Sequence, residues 1–323
     1  FTLDSGQQKL VVDLQKALDN NLIVTKRFTF ERGEHLIAVD YIVRNEGTQE
    51  WQGTFYAQLK RDSSKDPGAD TTGMGMQPFL GVATRTDEKP YIKVAFDDLT
   101  EEPINNRVNN GWMAIVQHYF VSAWVPAEPG QYMYSSKVTS RGDNLINFTG
   151  PTLTLAPGES GRVGALFYGG PKDQYRLKEI APGLDLTVDY GWLWWIAQPL
   201  FWVLTKIHNV VDNWGWSIIL LTILVKALFF PLSAASYRSM ARMRTVAPKM
   251  AQIRELYADD KQKQSQEMMN LYKKEKVNPL GGCLPILVQM PVFIALYWVL
   301  MESVELRHAP WLGWIKDLSA MDP

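Results

Sequence analysis

The stretch Trp216-Ser-Ile-Ile-Leu-Leu-Thr-Ile-Leu-Val-Lys-Ala-Leu-Phe-Phe-Pro-Leu232 is largely apolar and contains a single charged residue, Lys226. A helix crosses the apolar core of a bilayer with about 20 residues, each of which rises about 1.5 Å along the axis. A second stretch of similar length, residues 283–301, carries no charge. The two stretches predict a membrane-embedded helical core with transmembrane helices at residues 214–232 and 279–301.

Charge divides the chain into unlike parts. Up to residue 213 there are 20 Lys and Arg against 25 Asp and Glu, and from residue 214 there are 13 against 9. The loop between the two apolar stretches, residues 233–278, has ten basic and five acidic residues. Short loops with such a basic excess stay in the cytoplasm. We therefore expect the first span to run inward, the second to return, and both the part before residue 214 and the tail after residue 301 to lie outside.

The first 182 residues have the pattern of an all-β domain. Short alternating runs, such as residues 36–43 and 114–120, suit antiparallel strands with one buried face. Turn-forming segments separate these runs, among them Glu128-Pro-Gly and Ala156-Pro-Gly158. The pattern predicts a β-sandwich over residues 1–182.

Residues 183–213 are rich in aromatic side chains. This segment contains Trp192, Trp194, Trp195, Phe201 and Trp202, with charged residues towards its ends. Tryptophan is enriched at the boundary between membrane and water, so the segment predicts an interfacial amphipathic helix. The alternative is a linker helix that packs on the core of the β domain.

The basic loop has helical periodicity. Five apolar residues recur at intervals of three and four, which places them in one seam: Met243, Val246, Met250, Ile253 and Tyr257. A second run has similar spacing: Met268, Leu271, Tyr272 and Glu275. We expect two antiparallel helices that form a hairpin with its charges turned to water. Such a hairpin suits ribosomal RNA, anionic lipid or an acidic protein, unless its charges serve only to hold the loop in the cytoplasm.

Lys226 is an unusual residue for a membrane-spanning helix, because it places a charge in an otherwise apolar segment. A cation inside a transmembrane helix costs on the order of 2.5 to 3.5 kcal/mol. Thr222 lies one turn earlier on the same helix face, and Gln289 lies in the middle of the other span, so the three can line one wet surface. That surface would pass ions, bind a small solute or receive a polar segment of polypeptide. In the alternative, Lys226 extends its ammonium to the inner interface.

The sequence predicts no enzyme and no cofactor or metal. Cys283 is the single cysteine, so it can form neither an internal disulfide nor a thiolate cluster. His35 and His118 lie in the β domain without a recognisable acidic partner in sequence. The alternative function is a membrane-tethered carbohydrate-binding or mutarotase-like domain outside the cytoplasm, for which His118 would be the residue to test.

The run Asn278-Pro-Leu-Gly-Gly-Cys-Leu-Pro-Ile-Leu-Val-Gln-Met-Pro-Val-Phe293 strongly resembles the YidC family of bacterial membrane protein insertases. Four further segments resemble the same family in the same order: Asp185-Leu-Thr-Val-Asp-Tyr-Gly-Trp-Leu-Trp194, Asn213-Trp-Gly-Trp-Ser-Ile-Ile219, Gln266-Glu-Met-Met269 and Ser303-Val-Glu-Leu-Arg307. The family cation is usually arginine where Lys226 stands here. Lysine keeps the positive charge but lacks the planar guanidinium of arginine. It therefore favours attraction of an acidic peptide by charge over bidentate binding of a carboxylate.

The resemblance implies a multi-pass insertase and chaperone of the bacterial inner membrane, with the β domain as a periplasmic supersandwich. It implies a hydrophilic groove formed by Lys226, Thr222 and Gln289. The substrate helix would slide along Leu287, Met290, Ile294 and Trp298. The hairpin would contact its partners through five basic residues: Arg238, Arg242, Arg244, Lys249 and Arg254.

The resemblance also implies partners and missing parts. The partners are nascent membrane proteins, the Sec translocon, the lipid bilayer, and the ribosome and targeting factors that the hairpin would contact. Family members of this type have an anchor before the β domain and five core helices. The chain is therefore expected to be incomplete at its N-terminal side, to hold two core helices, and to end in the start of a periplasmic loop at residues 302–323.

Overall fold

The computed structural model describes residues 1–66, 77–275, 277, 282 and 284–320. The chain divides into two compact units. The β unit comprises Phe1–Asp189 together with Glu302–Glu305, and the helical unit comprises Tyr190–Met301 together with Leu306–Pro323. In the family-like motif, residues 278–281 and Cys283 lie outside the described residues.

The β unit contains twelve strands within the described residues. They are β1 (Lys9–Leu18), β2 (Leu22–Glu31), β3 (Leu36–Asn45), β4 (Trp51–Arg61), β5 (Gly81–Thr84), β6 (Ile92–Ala95), β7 (Asn105–Asn109), β8 (Met113–Val116), β9 (Phe120–Pro126), β10 (Gln131–Val138), β11 (Asn144–Leu155) and β12 (Ser160–Pro171). One helix, α1 (Gln174–Ile180), follows β12.

The strands form two antiparallel sheets. The larger has the order β1-β2-β3-β12-β9-β8-β5-β6, and the smaller has the order β4-β11-β10-β7. The prediction of a β domain is confirmed. One predicted run differs, because residues 114–120 are divided between β8 and β9, which pair as a hairpin around residues 117–119.

The core of the β unit is aromatic and takes side chains from both sheets. Phe55 and Phe148 of the smaller sheet are 2% and 0% exposed, and Met113 of the larger sheet is 0% exposed. All three belong to one buried cluster. Phe148 meets the edge of the Phe55 ring with centroids 6.1 Å apart, an arrangement that aromatic pairs prefer.

The helical unit contains five α-helices within its described residues. They are α2 (Trp194–Val211), α3 (Trp214–Leu228), α4 (Phe230–Leu256), α5 (Lys261–Lys274) and α6 (Leu284–Glu302). One helix, α6, is by itself long and apolar enough to cross a membrane. Helices α3 and α4 pass that test together, although they are bent by 58° at the break between them.

The break at Phe229 shortens the first predicted span. The sequence predicts one helix to Leu232, whereas α3 ends at Leu228 and the last residues of the predicted span begin α4. Pro231 stands at the start of α4. Its missing N–H cannot continue the hydrogen bonds of α3, and proline is favoured in the first turn of a new helix.

Helices α4 and α5 pack against each other. Val246, in the predicted seam of α4, is 5% exposed, and the other four seam residues are half-buried. The Lys249 ammonium lies 2.7 Å from Oε1 of Glu275. Nε2 of Gln264 donates to the carbonyl of Arg254 at 3.1 Å. The burial agrees with the seam that the spacing predicts.

Candidate functional site

The site is built on helix α3, whose first turn is fixed by Asn213. Its Oδ1 accepts a hydrogen bond from the backbone N–H of Trp216 at 3.1 Å, and its carbonyl accepts one from the Ser217 hydroxyl at 2.7 Å. Asn213 also donates from Nδ2 to the carbonyl of Pro310 at 3.4 Å. Asparagine is a preferred N-cap because its side chain satisfies a free backbone N–H. This residue therefore fixes where α3 begins.

The tail after α6 also packs on the start of α3. Trp311 lies against Gly215, which has no side chain to displace the indole ring. The rings of Trp311 and Trp216 meet edge to face, with centroids 5.9 Å apart. The backbone N–H of Trp311 donates to the carbonyl of Ile315 at 3.2 Å. No local pattern in the sequence indicates this contact between Trp311 and Gly215.

Lys226 and Thr222 occupy one face of α3, as their spacing predicts. Both side chains are exposed. The Thr222 hydroxyl donates to the carbonyl of Ile218, 2.8 Å away in its own helix. Lys226 makes no hydrogen bond or ion pair with any residue in the described ranges. The ammonium is therefore available to a charged group from outside these ranges.

Gln289 contacts a residue that the sequence analysis did not select. Its Nε2 donates to the hydroxyl of Ser233 at 3.2 Å, which connects α6 to the first turn of α4. Ser233 lies seven residues after Lys226, beyond the bend at Phe229. Of the three predicted groove residues, Lys226 and Thr222 share a helix face, and no hydrogen bond between described residues joins either of them to Gln289. The signal in the sequence for Ser233 was its polar side chain two positions after Pro231.

The proposed sliding surface on α6 is exposed at one end. Leu287 and Met290 are 64% and 49% exposed, whereas Ile294 and Trp298 are half-buried. The indole of Trp298 lies beside Gly191, where an added Cβ would stand 3.7 Å from the ring. Two further residues, Ile286 and Phe293, are exposed to a similar degree, at 62% and 65%. The exposed apolar face of α6 therefore includes Ile286 and Phe293 as well as Leu287 and Met290.

The basic residues predicted to act in the hairpin all lie at the surface of α4. They are Arg238, Arg242, Arg244, Lys249 and Arg254. Lys249 is paired with Glu275, and this ion pair lowers the pKa of the Glu275 carboxyl. The surface of α4 therefore presents several cations, one of which is already matched by a carboxylate.

The two histidines considered for sugar chemistry have structural neighbours. The ring of His35 meets the edge of Tyr168 at 6.3 Å, and His118 stacks on Tyr119 at 3.7 Å. The backbone N–H of His118 donates to Asp66 at 2.8 Å. Burial raises the pKa of Asp66, but hydrogen bonds, first among them that from His118, outweigh burial and hold this pKa below its ordinary value. Asp66 is therefore an ionised acceptor and a poor candidate for a general acid.

Two family models together match almost the whole chain. Residues 1–203 match the YidC periplasmic domain, and residues 206–323 match the 60Kd inner membrane protein family. The chain belongs to the YidC family. The family resemblance that the sequence motifs indicate is thereby confirmed.

Two relatives with high sequence identity to this chain are both named membrane protein insertase YidC. A membrane protein insertase YidC of Pseudomonas putida (strain W619) is 55% identical over all 323 residues, and one of Pseudomonas savastanoi pv. phaseolicola (strain 1448A / Race 6) is 56% identical. The chain spans 57% of the length of each of these relatives.

Two solved structures show a weaker likeness. An α-galactosidase AgaA from Geobacillus stearothermophilus has 12% identity and a TM-score of 0.40, with 58% of this chain and 26% of that chain covered. A galactose mutarotase-like protein from Lactobacillus casei has 8% identity and a TM-score of 0.35, with 52% and 72% covered.

Proposed function

We propose that the protein is an insertase and chaperone that moves newly made proteins into the bacterial inner membrane and helps them fold. The observation that carries this proposal is Lys226, an exposed cation on an apolar helix, without an ion pair to any described residue. A charge inside a membrane-spanning helix is energetically costly, so its presence points to a functional role. The names of the relatives support the proposal.

Lys226 attracts the acidic segment of a substrate that must cross to the outside. Its charge acts most strongly where water is partly excluded, because Coulomb attraction rises as the dielectric constant falls. Thr222 extends the polar face by one turn, and Gln289 with Ser233 supplies a second polar position. Attraction of this kind needs a positive charge but no planar guanidinium. Lysine therefore suffices where the family usually has arginine.

The apolar helix of the substrate moves along the outer face of α6. Leu287 and Met290 offer exposed apolar area, and Ile294 and Trp298 continue it at lower exposure. Transfer into hydrocarbon is favourable by about 0.8 kcal/mol per CH₂ group. This gain drives insertion without the making or breaking of a covalent bond. The protein is accordingly not an enzyme in this proposal.

The proposed topology follows from the basic hairpin. Helices α3 and α6 cross the inner membrane, α4 and α5 lie in the cytoplasm, and the β unit lies in the periplasm. Helix α2 lies at the interface, where its exposed Trp195 and Trp202 suit the headgroup region. The exposed cations of the hairpin receive the ribosome or targeting factors, and the Sec translocon serves as a partner for some substrates.

An insertion assay with Lys226 variants tests the attraction. In full-length protein, Lys226→Arg is expected to insert a substrate with an acidic translocated segment as wild type does. Lys226→Ala should slow this insertion, and Lys226→Glu should slow it further because like charges repel. Normal insertion by both the alanine and the glutamate variants would refute the attraction.

Two controls separate the charge from the fold. A substrate with a neutral translocated segment should respond much less to every change at Lys226. Lys316→Ala removes an exposed lysine from the tail of the same unit, away from the hairpin, and should leave insertion of both substrates near wild type. An equal loss with the neutral substrate would indicate that Lys226 supports the fold of α3 instead.

A further inference from the structure

The tail that follows α6 in the helical unit folds into a closed loop with an apolar tip. The backbone N–H of Leu318 donates to the carbonyl of Ala309, and that of Trp311 donates to the carbonyl of Ile315, both at 3.2 Å. These bonds pair the two arms of the loop. They leave Leu-Gly-Trp, residues 312–314, at the turn between the arms. This tail tip contains no charged residue.

The backbone sets the conformation of the tail tip. The N–H of Ile315 donates to the carbonyl of Leu312 at 3.2 Å, and Gly313 has a φ of +61°. Glycine is favoured at such an angle because it has no Cβ. No described atom lies within 4 Å of the place that a Cβ would take at Gly313, so the glycine serves the turn and makes no close contact. The turn therefore displays the side chains on either side of it.

Both displayed side chains are large, apolar and exposed. Leu312 is 59% exposed and Trp314 is 74% exposed. In contrast, Trp311 in the same loop is half-buried, with its ring against Gly215. A single exposed leucine is ordinary on a protein surface. A leucine and a tryptophan together at an uncharged tip are typical of a surface that meets a partner or a membrane.

The loop packs at one end of an exposed apolar stripe on α3. Leu220 and Leu224 follow Trp216 at intervals of four residues, so the three share one helix face, and all three side chains are exposed. The ring of Trp311 packs edge to face on Trp216. In the proposed topology this first turn of α3 is the outer end of the span. Tryptophan is enriched at that depth, where the hydrocarbon meets the headgroups.

We propose that the tail tip is a lipid anchor, which places Leu312 and Trp314 in the outer leaflet at the boundary between headgroups and acyl chains. Lipid is the partner because the tip is uncharged and its loop adjoins the exposed apolar stripe of α3. The proposal rests on the proposed crossing of the membrane by α3. Interfacial tryptophans limit the tilt of the spans to which they are attached. The contact of Trp311 with Gly215 attaches this tip to α3.

Fluorescence quenching of full-length protein in lipid nanodiscs tests the proposal. A small environment-sensitive fluorophore is attached to Leu312→Cys, Leu224→Cys or Thr245→Cys in a background without other cysteines. A nitroxide on the lipid acyl chains should quench the probes at 312 and 224, whereas iodide in the water should quench the probe at 245. Leu224 is the matched position because it is also a leucine, with a similar exposure of 52%, and Thr245 is exposed on α4.

Removal of the neighbouring ring gives a second measure. With the probe at Leu312→Cys, Trp314→Ser should shift the equilibrium between embedded and water-exposed tip towards water on the order of tenfold, because the burial of a large apolar side chain is lost. Ala320→Ser changes another exposed residue of the tail and should leave the quenching unchanged. Both variants should unfold in detergent at the temperature of the wild type, since the side chain of Trp314 is exposed. An unchanged equilibrium in Trp314→Ser would contradict the anchor.

The quenching pattern separates the anchor from the topology on which it rests. A probe at 312 that iodide quenches, beside a probe at 224 that lipid quenches, would refute the anchor alone and leave the insertion assay at Lys226 unaffected. Quenching of both probes by iodide would refute the crossing of the membrane by α3 and the anchor with it. Protection of the probe at 312 from both quenchers would show that protein covers the tip, which also overturns the lipid contact.

Discussion

Gly215 forms the surface on which Trp311 packs. A Cβ at position 215 would stand 2.9 Å from Cβ of Trp311 and would overlap its indole ring. The tail that follows α6 is thereby held against the first turn of α3, the helix that carries Lys226.

Gly215→Ala should destabilise the helical unit. In an unobstructed helix the change from glycine to alanine stabilises by about 0.5 to 1 kcal/mol, but overpacking against Trp311 should reverse the sign at a cost of about 1 to 3 kcal/mol. Thermal unfolding of full-length protein in detergent measures the effect. In a Trp311→Ala background the obstruction is gone, so Gly215→Ala should become neutral or stabilising. Destabilisation in both backgrounds would show that Trp311 is not the cause.

The N-cap of α3 can be tested with two substitutions of Asn213. Asn213→Ala removes the bond to the N–H of Trp216 and should cost about 1 kcal/mol. Asn213→Asp keeps an accepting oxygen and loses only the donor to Pro310, so it should cost less. Equal losses of stability for the two variants would assign the effect to the contact with Pro310 rather than to the cap.

Much of this architecture follows from local patterns, whereas long-range contacts do not. Alternation predicts the strands, and the spacing of three and four predicts the seam around Val246, because each pattern reflects the repeat of its own element. The break at Phe229 was missed although Pro231 marks it. A buried ion pair between Lys172 and Glu302, 2.6 Å long, joins residues 130 positions apart within the β unit. Neither residue has a local pattern that indicates its partner.

The seam between α4 and α5 gives a third prediction. Val246→Asp buries an unpaired carboxylate, which is strongly unfavourable, and should open the helix pair to protease cleavage between residues 257 and 261. Thr245→Asp places the same group on the exposed side of α4 and should leave cleavage unchanged. Equal protection in the two variants would contradict the packing of Val246.

Glu305 gives a prediction about pH. Burial raises its pKa from 4.5 to about 7, and the nearby charge of Asp173 adds to the shift. A group whose pKa is raised on folding contributes most to stability below its unfolded pKa. This contribution should decline as the pH rises from about 4.5 through 7. Unfolding of full-length protein at several pH values measures it, and Glu305→Gln should flatten the profile. A profile of the same slope in the glutamine variant would contradict the assignment.

The central claim is that Lys226 attracts the acidic segment of a substrate, and site-specific crosslinking tests it most directly. A photocrosslinking residue at position 222 lies one helical turn from Lys226 and keeps the lysine intact. The same probe at Leu224 projects from another face of α3 and serves as the control. With stalled nascent chains, the probe at 222 should capture an acidic translocated segment more than a neutral one, and Lys226→Ala should abolish this preference. Equal capture of both segments, or a preference that survives Lys226→Ala, would contradict the account.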